Sequence, residues 1–232
     1  MHSVPIASVP VRGSLDDFTV HRIYCIGRNF ADHIREMGHA APASSAPADR
    51  APPVFFMKPA DAVVANDTLI PYPRGTHDLH HEVELVVALG TDRDGIVETA
   101  EALDLVFGYS VGLDLTRRDL QANAKSKGLP WDVAKGFDRS APIAPIVPVT
   151  LCGHPDGARL SLQVNGNTVQ DAPLSDMLYS VPEVLHELSK LYDLRAGDLV
   201  FMGTPAGVGP LLPGDRYVAA VDGVAELRGG IA

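Results

Sequence analysis

The sequence is poor in cysteine and has no long apolar run. Its two cysteines, Cys25 and Cys152, stand far apart and belong to no CxxC or His/Cys zinc pattern. The sequence therefore indicates neither a disulfide framework nor a structural zinc site. No apolar run approaches the roughly 20 residues of a membrane span, and the N-terminus lacks a basic segment followed by an apolar core. We expect a soluble, cytoplasmic protein without a membrane partner.

Positive charge is also scarce. The chain has 19 Lys and Arg against 29 Asp and Glu, a net charge of −10 with a pI near 5.2. A nucleic-acid partner needs a basic surface, so we expect none. The stretch GTPAGVG (203–209) lacks the Lys-Ser/Thr of a P-loop and the helix of a dinucleotide fingerprint, which argues against nucleotide binding. Thr204 within it is a candidate hydrogen-bond partner for a small oxyanion.

The chain is long enough for one domain with a sizeable core, since 46% of its 232 residues are hydrophobic. Short apolar runs separated by turn residues predict a β-rich fold. We expect residues 1–20 to form an N-terminal arm or edge strand and residues 21–232 to form the main domain. Asn165-Gly166, between two short runs, predicts a β-hairpin with a type I′ turn.

Two carboxylates stand at the start of the apolar run HHEVELVVALG. Glu82 and Glu84 share one face of the predicted strand, because side chains alternate with period two. An ionised carboxylate taken out of water needs a partner, and a divalent cation with oxygen ligands suits two of them. Asp114, at the end of another apolar run, is the candidate third ligand. Ion pairs are the alternative, with three basic residues as candidates: Arg117, Arg118 and Lys135.

A histidine and a glutamate lie three residues apart on the predicted helix 30–37. His33 and Glu36 therefore share a face, and a carboxylate beside an imidazole fixes its tautomer for general-base work. An incidental pair on a solvated helix face is the alternative. Residues 38–53, rich in Ala, Pro and Ser, predict a loop that is either a lid over a site or a surface insertion.

Further polar residues are candidates for binding a ligand. The stretch 116–126 predicts a helix with Thr116 as its N-cap, and on it Arg118 and Gln121 face the same way. An Arg offers a bidentate fork for a carboxylate, although a solvated face is the default. Lys58 ends an aromatic strand, and Lys135 lies between two small residues where it would supply positive charge to an anionic substrate.

Six motifs in this order resemble the fumarylacetoacetate hydrolase family, in particular its short, single-domain members. They are CIGRNFADHIREMG (25–38), FFMKPADAVV (55–64), HHEVELVVALG (80–90), GYSVGLDLTRRDLQ (108–121), KGLPWDVAKGFDRSAPI (127–143) and GDLVFMGTPAGVGPLLPGD (197–215). They cover most of the chain from Arg22 onward. The resemblance implies an α+β, β-rich fold of the mixed β-roll type with few short helices. It also implies 21–232 as the catalytic domain, a lid at about 30–53 and assembly as a homodimer.

The resemblance also implies roles for individual residues. Glu82, Glu84 and Asp114 would hold a divalent metal, Mg²⁺ first and Mn²⁺ or Ca²⁺ as alternatives. His33 and Glu36 would form a water-activating dyad, with Lys135 beside the substrate. The residues implied to line the substrate pocket are Lys58, Arg118, Gln121 and Thr204. A second substrate carboxylate would need a cation, for which the candidates are Arg28, Arg35 and Arg118.

The activity that the resemblance implies is cleavage of the C–C bond of an acylpyruvate. The motifs are most similar to those of bacterial fumarylpyruvate hydrolases of gentisate-type aromatic degradation, which release fumarate and pyruvate. The same site chemistry suits oxaloacetate decarboxylation, cleavage of short acylpyruvates, or isomerisation or decarboxylation of a dienedioate. An inactive homologue that binds a dicarboxylate is the non-enzyme alternative.

Overall fold

β-Strands dominate the computed structural model, which describes residues 6–42, 46 and 49–232. In chain order they are β1 Ser8–Val9, β2 Phe18–Thr19, β3 Ile23–Gly27, β4 Val54–Lys58, β5 Val63–Val64, β6 Thr68–Ile70, β7 Leu79–His81, β8 Val83–Leu89, β9 Val106–Leu113, β10 Thr116–Arg117, β11 Ala141–Pro142, β12 Val147–Pro148, β13 Arg159–Val164, β14 Asn167–Pro173, β15 Leu199–Phe201, β16 Gly209–Pro210, β17 Arg216–Val221 and β18 Ala225–Ile231.

Helices are few and short in this part of the chain, as predicted. The α-helices are α1 Ala31–Glu36, α2 Arg118–Lys127, α3 Asp132–Lys135, α4 Val149–Cys152 and α5 Val181–Ser189. Short 3-10 turns lie at Ala60–Ala62, Ala102–Leu105 and Leu174–Asp176. Among the described residues, no helix has the length and apolarity needed to cross a membrane.

Two mixed sheets form the body of the fold. One has six strands in the order β12-β9-β8-β15-β3-β4, and the other has five in the order β14-β13-β17-β18-β6. Strand β15 runs parallel to β3, and β18 runs parallel to β6, whereas the other pairs in these two sheets are antiparallel. Strands β8 and β9 pack against β13 and β17 across the main core. This arrangement confirms the predicted α+β, β-rich fold.

Strand β8 is buried on both faces. Leu85 and Val87 belong to the main core between the sheets, whereas Val86 and Ala88 belong to a second apolar cluster on the opposite face. Burial on both faces explains why Val83–Leu89 reads as a nearly continuous apolar run instead of an alternating one. The acids at its start are thus held by a strand that packing fixes from both sides.

The register of β8 and β9 brings the three acids to one end of the six-stranded sheet. These strands are antiparallel, with Glu84 opposite Gly112. One step further, the backbone N–H of Asp114 donates to the carbonyl oxygen of Glu82 at 2.9 Å. Glu82 and Asp114, which are far apart along the chain, are therefore neighbours because the two strands pair.

The predicted hairpin at Asn165-Gly166 is confirmed, and part of the predicted N-terminal arm forms a short strand. Asn165 and Gly166 have φ of 52° and 81°, the two positive values that a type I′ turn requires, and they join β13 to β14. Near the N-terminus, β1 pairs with β2 in a small sheet of its own, and Val9 packs into the second cluster. Residues 1–5 of the predicted arm lie outside the described residues.

The predicted N-cap at Thr116 is wrong. Thr116 lies in the short strand β10, opposite His80, and α2 begins two residues later at Arg118. Its hydroxyl donates to the carbonyl oxygen of Asp114 at 3.0 Å. The hydroxyl therefore stabilises the turn that follows β9 instead of the start of the helix.

Candidate metal centre and active site

Glu82, Glu84 and Asp114 form the cluster that the sequence predicts. One carboxylate oxygen from each lies within 4.8 Å of the others. The three residues are 5%, 1% and 0% exposed. Ionised carboxylates at this depth need cations, since burial of an unpaired charge costs several kcal/mol.

Cations from the chain already contact two of the three acids. Lys135 Nζ donates to Glu82 Oε2 at 2.8 Å and to Asp114 Oδ2 at 2.6 Å. Arg118 donates to the other oxygen of Glu82. The ion-pair alternative is therefore present at Glu82, through Lys135 and Arg118. The third candidate, Arg117, instead donates to the carbonyl oxygen of Val133.

Glu84 is the acid without a cationic partner. Its carboxylate accepts the backbone N–H of Gly203 at 2.8 Å, and none of the ion pairs among the described residues reaches it. Burial, together with the charges of Asp114 and Glu82, raises the pKa of Glu84 well above 4.5. A cation bound beside Glu84 would therefore stabilise the ionised form of its carboxylate.

At Glu82 and Lys135, the attraction between opposite charges outweighs the cost of burial. Burial alone would raise the pKa of Glu82, but Lys135 and Arg118 outweigh it and lower that pKa far below 4.5. Burial likewise disfavours the charge of Lys135, yet Asp114 and Glu82 raise its pKa above 10.5. Lys135 and Glu82 thus stay charged as an ion pair. The Glu84 carboxylate, by contrast, has no ion pair among the described residues to offset the cost of its burial.

The donor set fits a divalent metal with oxygen ligands. Three carboxylates converge, and oxygen ligands of this kind suit Mg²⁺ and Mn²⁺. Asp114 Oδ1 supplies a further indication: it has no hydrogen-bond partner among the described residues, and the Lys58 Nζ that lies 2.8 Å away has the distance of an ion pair without the angles of a hydrogen bond. Together with the unpaired Glu84, these observations favour a divalent metal at the three carboxylates.

Most of the predicted site residues line one small cavity of about 50 Å³ beside the acids. They are Arg28, His33, Glu82, Glu84, Asp114, Arg118, Gln121, Lys135 and Thr204. A cavity of about 1060 Å³, lined partly by residues 11–14 and 16–19, contains none of them. The candidate site is therefore identified by the side chains that line it, although the other cavity has the greater volume.

His33 and Glu36 meet as predicted. Nδ1 of His33 lies 3.1 Å from Oε2 of Glu36, and the backbone N–H of Gly207 donates to Oε1 of Glu36 at 2.9 Å. A carboxylate at Nδ1 requires the proton there, which leaves the lone pair on Nε2. His33 lines the cavity, whereas Glu36 lies behind it.

Lys58 was predicted to be a pocket residue, but its side chain lies outside the cavity. Its side chain is fully buried, it does not line the cavity, and it donates to the carbonyl oxygens of Leu115 and Lys135 while it pairs with Asp114. The pairing of β4 with β3 directs this strand end beneath the acids. Lys58 therefore contacts a candidate metal ligand from the side away from the cavity.

Lys135 uses all three of its N–H donors within the protein. They go to Glu82, Asp114 and the hydroxyl of Thr116, the last at 2.7 Å. A lysine ammonium has three donors and no acceptor. Direct donation to a substrate would thus require one of these bonds to be exchanged.

Of the remaining predicted residues, Arg118 and Thr204 are held by partners of their own. Arg118 Nη1 donates to Gln121 Oε1 at 2.6 Å. The Thr204 hydroxyl accepts Nε2 of Gln170 at 2.8 Å, so its own proton is available to a ligand. Arg28 follows β3 with a φ of 65°, an uncommon left-handed conformation for a residue other than glycine.

Three residues of the site were missed by the sequence analysis. Asn29 is fully buried and donates to the carbonyl oxygens of Tyr179 and Met202, which fixes the loop before α1. Gln170 accepts the backbone N–H of Val83 and holds Thr204. Lys125 lines the cavity. Its spacing of seven from Arg118 on the predicted helix was the one available signal.

The predicted lid of about 30–53 lies partly outside the described residues, because 43–45 and 47–48 are among those not described. At its far end, Arg50 donates to Glu183 of α5 at 2.6 Å and lies over the ring of Tyr179. Its first part is α1, which carries His33. Both described ends of this segment are therefore attached to the body of the protein.

Comparison with known proteins agrees with this architecture. The family model for the C-terminal domain of fumarylacetoacetate (FAA) hydrolase matches residues 22–232. The chain belongs to the fumarylacetoacetate hydrolase family. Members of this family include hydrolases, isomerases and decarboxylases.

Two solved structures of the family are similar over nearly the whole chain. The fumarylpyruvate hydrolase of Pseudomonas aeruginosa, in complex with Mn²⁺ and pyruvate, is 44% identical, with a TM-score of 0.92 and coverage of 99% of this chain and 98% of that one. A candidate fumarylpyruvate hydrolase from Burkholderia cenocepacia is 48% identical, with a TM-score of 0.91 and coverage of 100% and 97%.

A curated member of the family has a different activity in its name. The mitochondrial oxaloacetate tautomerase of Bos taurus is 41% identical over 206 residues, which cover 89% of each chain. The family and the class of small oxo-acid ligand are thus common to these relatives, whereas the named reactions differ.

Proposed function

We propose that the protein is a metal-dependent hydrolase that cleaves the C–C bond of an acylpyruvate, with fumarylpyruvate as substrate and fumarate and pyruvate as products. The observation that carries the proposal is the shared cavity: the imidazole of His33, oriented by Glu36, faces the same space as Glu82, Glu84 and Asp114. A base for water and a site for an oxo acid therefore lie side by side. The similar Pseudomonas hydrolase supports the choice of substrate.

The chain's own residues account for the proton transfer. Nε2 of His33 takes a proton from a water molecule, and the resulting oxygen nucleophile adds to the carbonyl carbon distal to the carboxylate. The bond between that carbon and the neighbouring methylene carbon then breaks, and its electron pair stays on the pyruvate fragment as an enolate. Glu36 stabilises the imidazolium that forms, in the manner of the third group of a catalytic triad.

A divalent cation at Glu82, Glu84 and Asp114 would supply Lewis-acid stabilisation of the negative charge that develops on an oxo-acid oxygen. We propose Mg²⁺, with Mn²⁺ and Ca²⁺ as alternatives. The positive charges of Lys135 and Arg118 lie beside the same acids and limit the net negative charge of the site. An anionic substrate can therefore approach although three carboxylates line the cavity.

The test is loss of fumarylpyruvate absorbance with metal-stripped protein before and after Mg²⁺ is restored, for wild type and His33→Ala. We expect Mg²⁺-dependent turnover that falls about 10²- to 10⁴-fold in the variant, the usual contribution of a general base. His77→Ala is the matched control, because His77 is exposed outside the cavity. Unchanged turnover in His33→Ala would contradict the proposed base.

Enol–keto conversion of oxaloacetate is a second candidate function, because the bovine relative is named an oxaloacetate tautomerase. Both reactions need a base beside a bound oxo acid. Following the enol absorbance of oxaloacetate and the release of carbon dioxide, with the same variants, separates tautomerisation from decarboxylation. Turnover of oxaloacetate without any cleavage of fumarylpyruvate would move the protein to this second function.

The assembly and location are also proposals. We propose a cytoplasmic homodimer, as the family resemblance implies. The exposed Leu151 lines the cavity of about 1060 Å³ together with Phe18 and Phe107, and these side chains give this face an apolar character. Sedimentation at micromolar concentration tests the dimer, and a monomer at that concentration would contradict it.

A further inference from the structure

Two cations line the candidate site without an anionic partner. Arg28 and Lys125 both face the cavity beside the acids. Neither forms an ion pair or a hydrogen bond through its side chain with any described residue, and the charged group of Lys125 lies 5.1 Å from the centre of the Trp131 ring. Elsewhere in the site, the lysines and Arg118 are all paired with carboxylates.

Helix α2 directs Lys125 to this position. Arg118, Gln121 and Lys125 occupy positions i, i+3 and i+7 of the helix, so they form one stripe along the face that lines the cavity. Lys125 is half-buried, and burial followed by the charge of Arg118 lowers its pKa below 10.5. A cation in this setting is stabilised when an anion binds.

Arg118 and Arg35, the other candidates for binding a distal carboxylate, already have partners. Arg118 is engaged with Glu82 and Gln121. Arg35 is exposed and pairs with Asp32 on the outer surface of α1, away from the cavity that contains the acids. Arg28 and Lys125 are thus the cavity cations that remain for a ligand.

We propose that Lys125, together with Arg28, binds the distal carboxylate of the substrate and thereby selects dicarboxylic over monocarboxylic acylpyruvates. This inference rests on the proposed function. With the oxo-acid end at the acidic cluster, the acyl arm runs along the α2 stripe toward Trp131, whose ring forms an apolar wall beside a planar, unsaturated chain. The ammonium at the end of this wall meets the second carboxylate.

The activity test compares Lys125→Met with wild type on fumarylpyruvate and on acetylpyruvate, which lacks the second carboxylate. We expect kcat/KM for fumarylpyruvate to fall about 10- to 100-fold, mainly through KM, as for loss of a charge-assisted hydrogen bond. The value for acetylpyruvate should change less than about threefold. Arg28→Met should act in the same direction, and Lys127→Met, exposed on the same helix, is the matched control.

A binding test separates this inference from the proposed reaction. Calorimetry of the Mg²⁺-loaded protein with fumarate and with crotonate, its monocarboxylic analogue, should show a preference for fumarate that Lys125→Met abolishes. If wild type cleaves no acylpyruvate but this preference depends on Lys125, the reaction is wrong and the carboxylate site stands. If wild type cleaves fumarylpyruvate and Lys125→Met leaves both preferences unchanged, the carboxylate site is wrong.

Discussion

Glu36 accepts a hydrogen bond from the backbone N–H of Gly207 at 2.9 Å, across 171 positions of the chain. The other oxygen of the same carboxylate lies 3.1 Å from His33 Nδ1. One side chain therefore both orients the imidazole and attaches α1 to the loop after β15. Orientation of the imidazole and attachment of α1 can be separated by substituting Glu36.

Glu36→Gln should keep the attachment and lose the charge. The amide oxygen can still accept from Gly207, but no carboxylate faces the imidazole, so imidazolium formation loses its support. We expect kcat to fall about 10- to 100-fold with little change in KM, the typical cost of removing an outer-shell partner. Steady-state kinetics on fumarylpyruvate measure both values. An unchanged kcat in Glu36→Gln would show that Glu36 acts through attachment only.

Glu84→Gln tests the metal centre. Glu84 is the acid that no lysine or arginine of the described residues pairs with, so its charge is the one available to a metal. We expect Mg²⁺ or Mn²⁺ to bind at least about tenfold more weakly, as measured by calorimetry on the stripped protein. Glu98→Gln, an exposed acid, is the control. Equal metal affinity in wild type and Glu84→Gln would remove Glu84 from the ligand set.

Lys58→Met distinguishes a structural role from a substrate contact. Removing the fully buried ammonium leaves Asp114 with one cation fewer in a dry environment. We expect the free energy of unfolding to fall by about 3–5 kcal/mol, the usual cost of breaking a buried pair from one side. Urea unfolding at neutral pH measures it. A rise in KM with unchanged stability would restore Lys58 to the substrate pocket.

Gly207→Ala and Gly214→Ala form a matched pair. Both glycines have positive φ, 97° and 95°. A Cβ at Gly207 would lie 2.0 Å from the carbonyl oxygen of Val169, whereas nothing lies within 4 Å at Gly214. Gly214→Ala should therefore cost only the backbone strain of about 1 kcal/mol, and Gly207→Ala should cost more and lower kcat because Glu36 moves. Equal losses in urea unfolding would contradict this.

The ion pair between Arg50 and Glu183 predicts a pH dependence. The hydrogen bond from Arg50, the largest influence on this carboxyl, lowers the pKa of Glu183 from 4.5 to about 2. The carboxylate thus adds stability above about pH 4.5, and this contribution is lost as the pH falls toward about 2. The stability difference between wild type and Arg50→Met should be constant above about pH 5 and should shrink below it. Melting temperatures measured from neutral pH downward test this.

Lys190→Met is the control for that measurement. Lys190 pairs with Glu187 on the same helix, but both side chains are substantially exposed, and exposed pairs contribute little. Its melting temperature should follow that of wild type at every pH. A pH-independent effect of Arg50→Met would assign the role of Arg50 to its contact with the Tyr179 ring.

The acids were predictable because their signals are local. Period-two spacing places Glu82 and Glu84 on one face, and the end of an apolar run marks Asp114; strand pairing then brings these positions together. The His33–Glu36 pair was equally local, since helix geometry alone makes residues three apart neighbours. The hairpin at Asn165-Gly166 follows from backbone preferences of the same short range.

Residues whose roles depend on distant partners were not predictable. From the sequence, Lys58 at the end of an apolar strand faces either a pocket or the solvent, whereas the pairing of β4 with β3 places it in the buried interior. Thr116 has the chemistry of an N-cap, but β10 competes for its backbone. Gln170 and Asn29 bind backbone groups far along the chain, and a single sequence does not distinguish them from solvated amides.

The double-sided burial of β8 has a consequence for amide hydrogen exchange. The amides of β8 that follow Glu82, a candidate metal ligand, lie in the centre of the six-stranded sheet, so they should exchange only by global unfolding. Helix α1 is a six-residue segment whose His33 faces the cavity, and local opening should expose its amides far sooner. Under the proposed function, the segment whose local opening would govern product release therefore differs from the strand that would retain the metal.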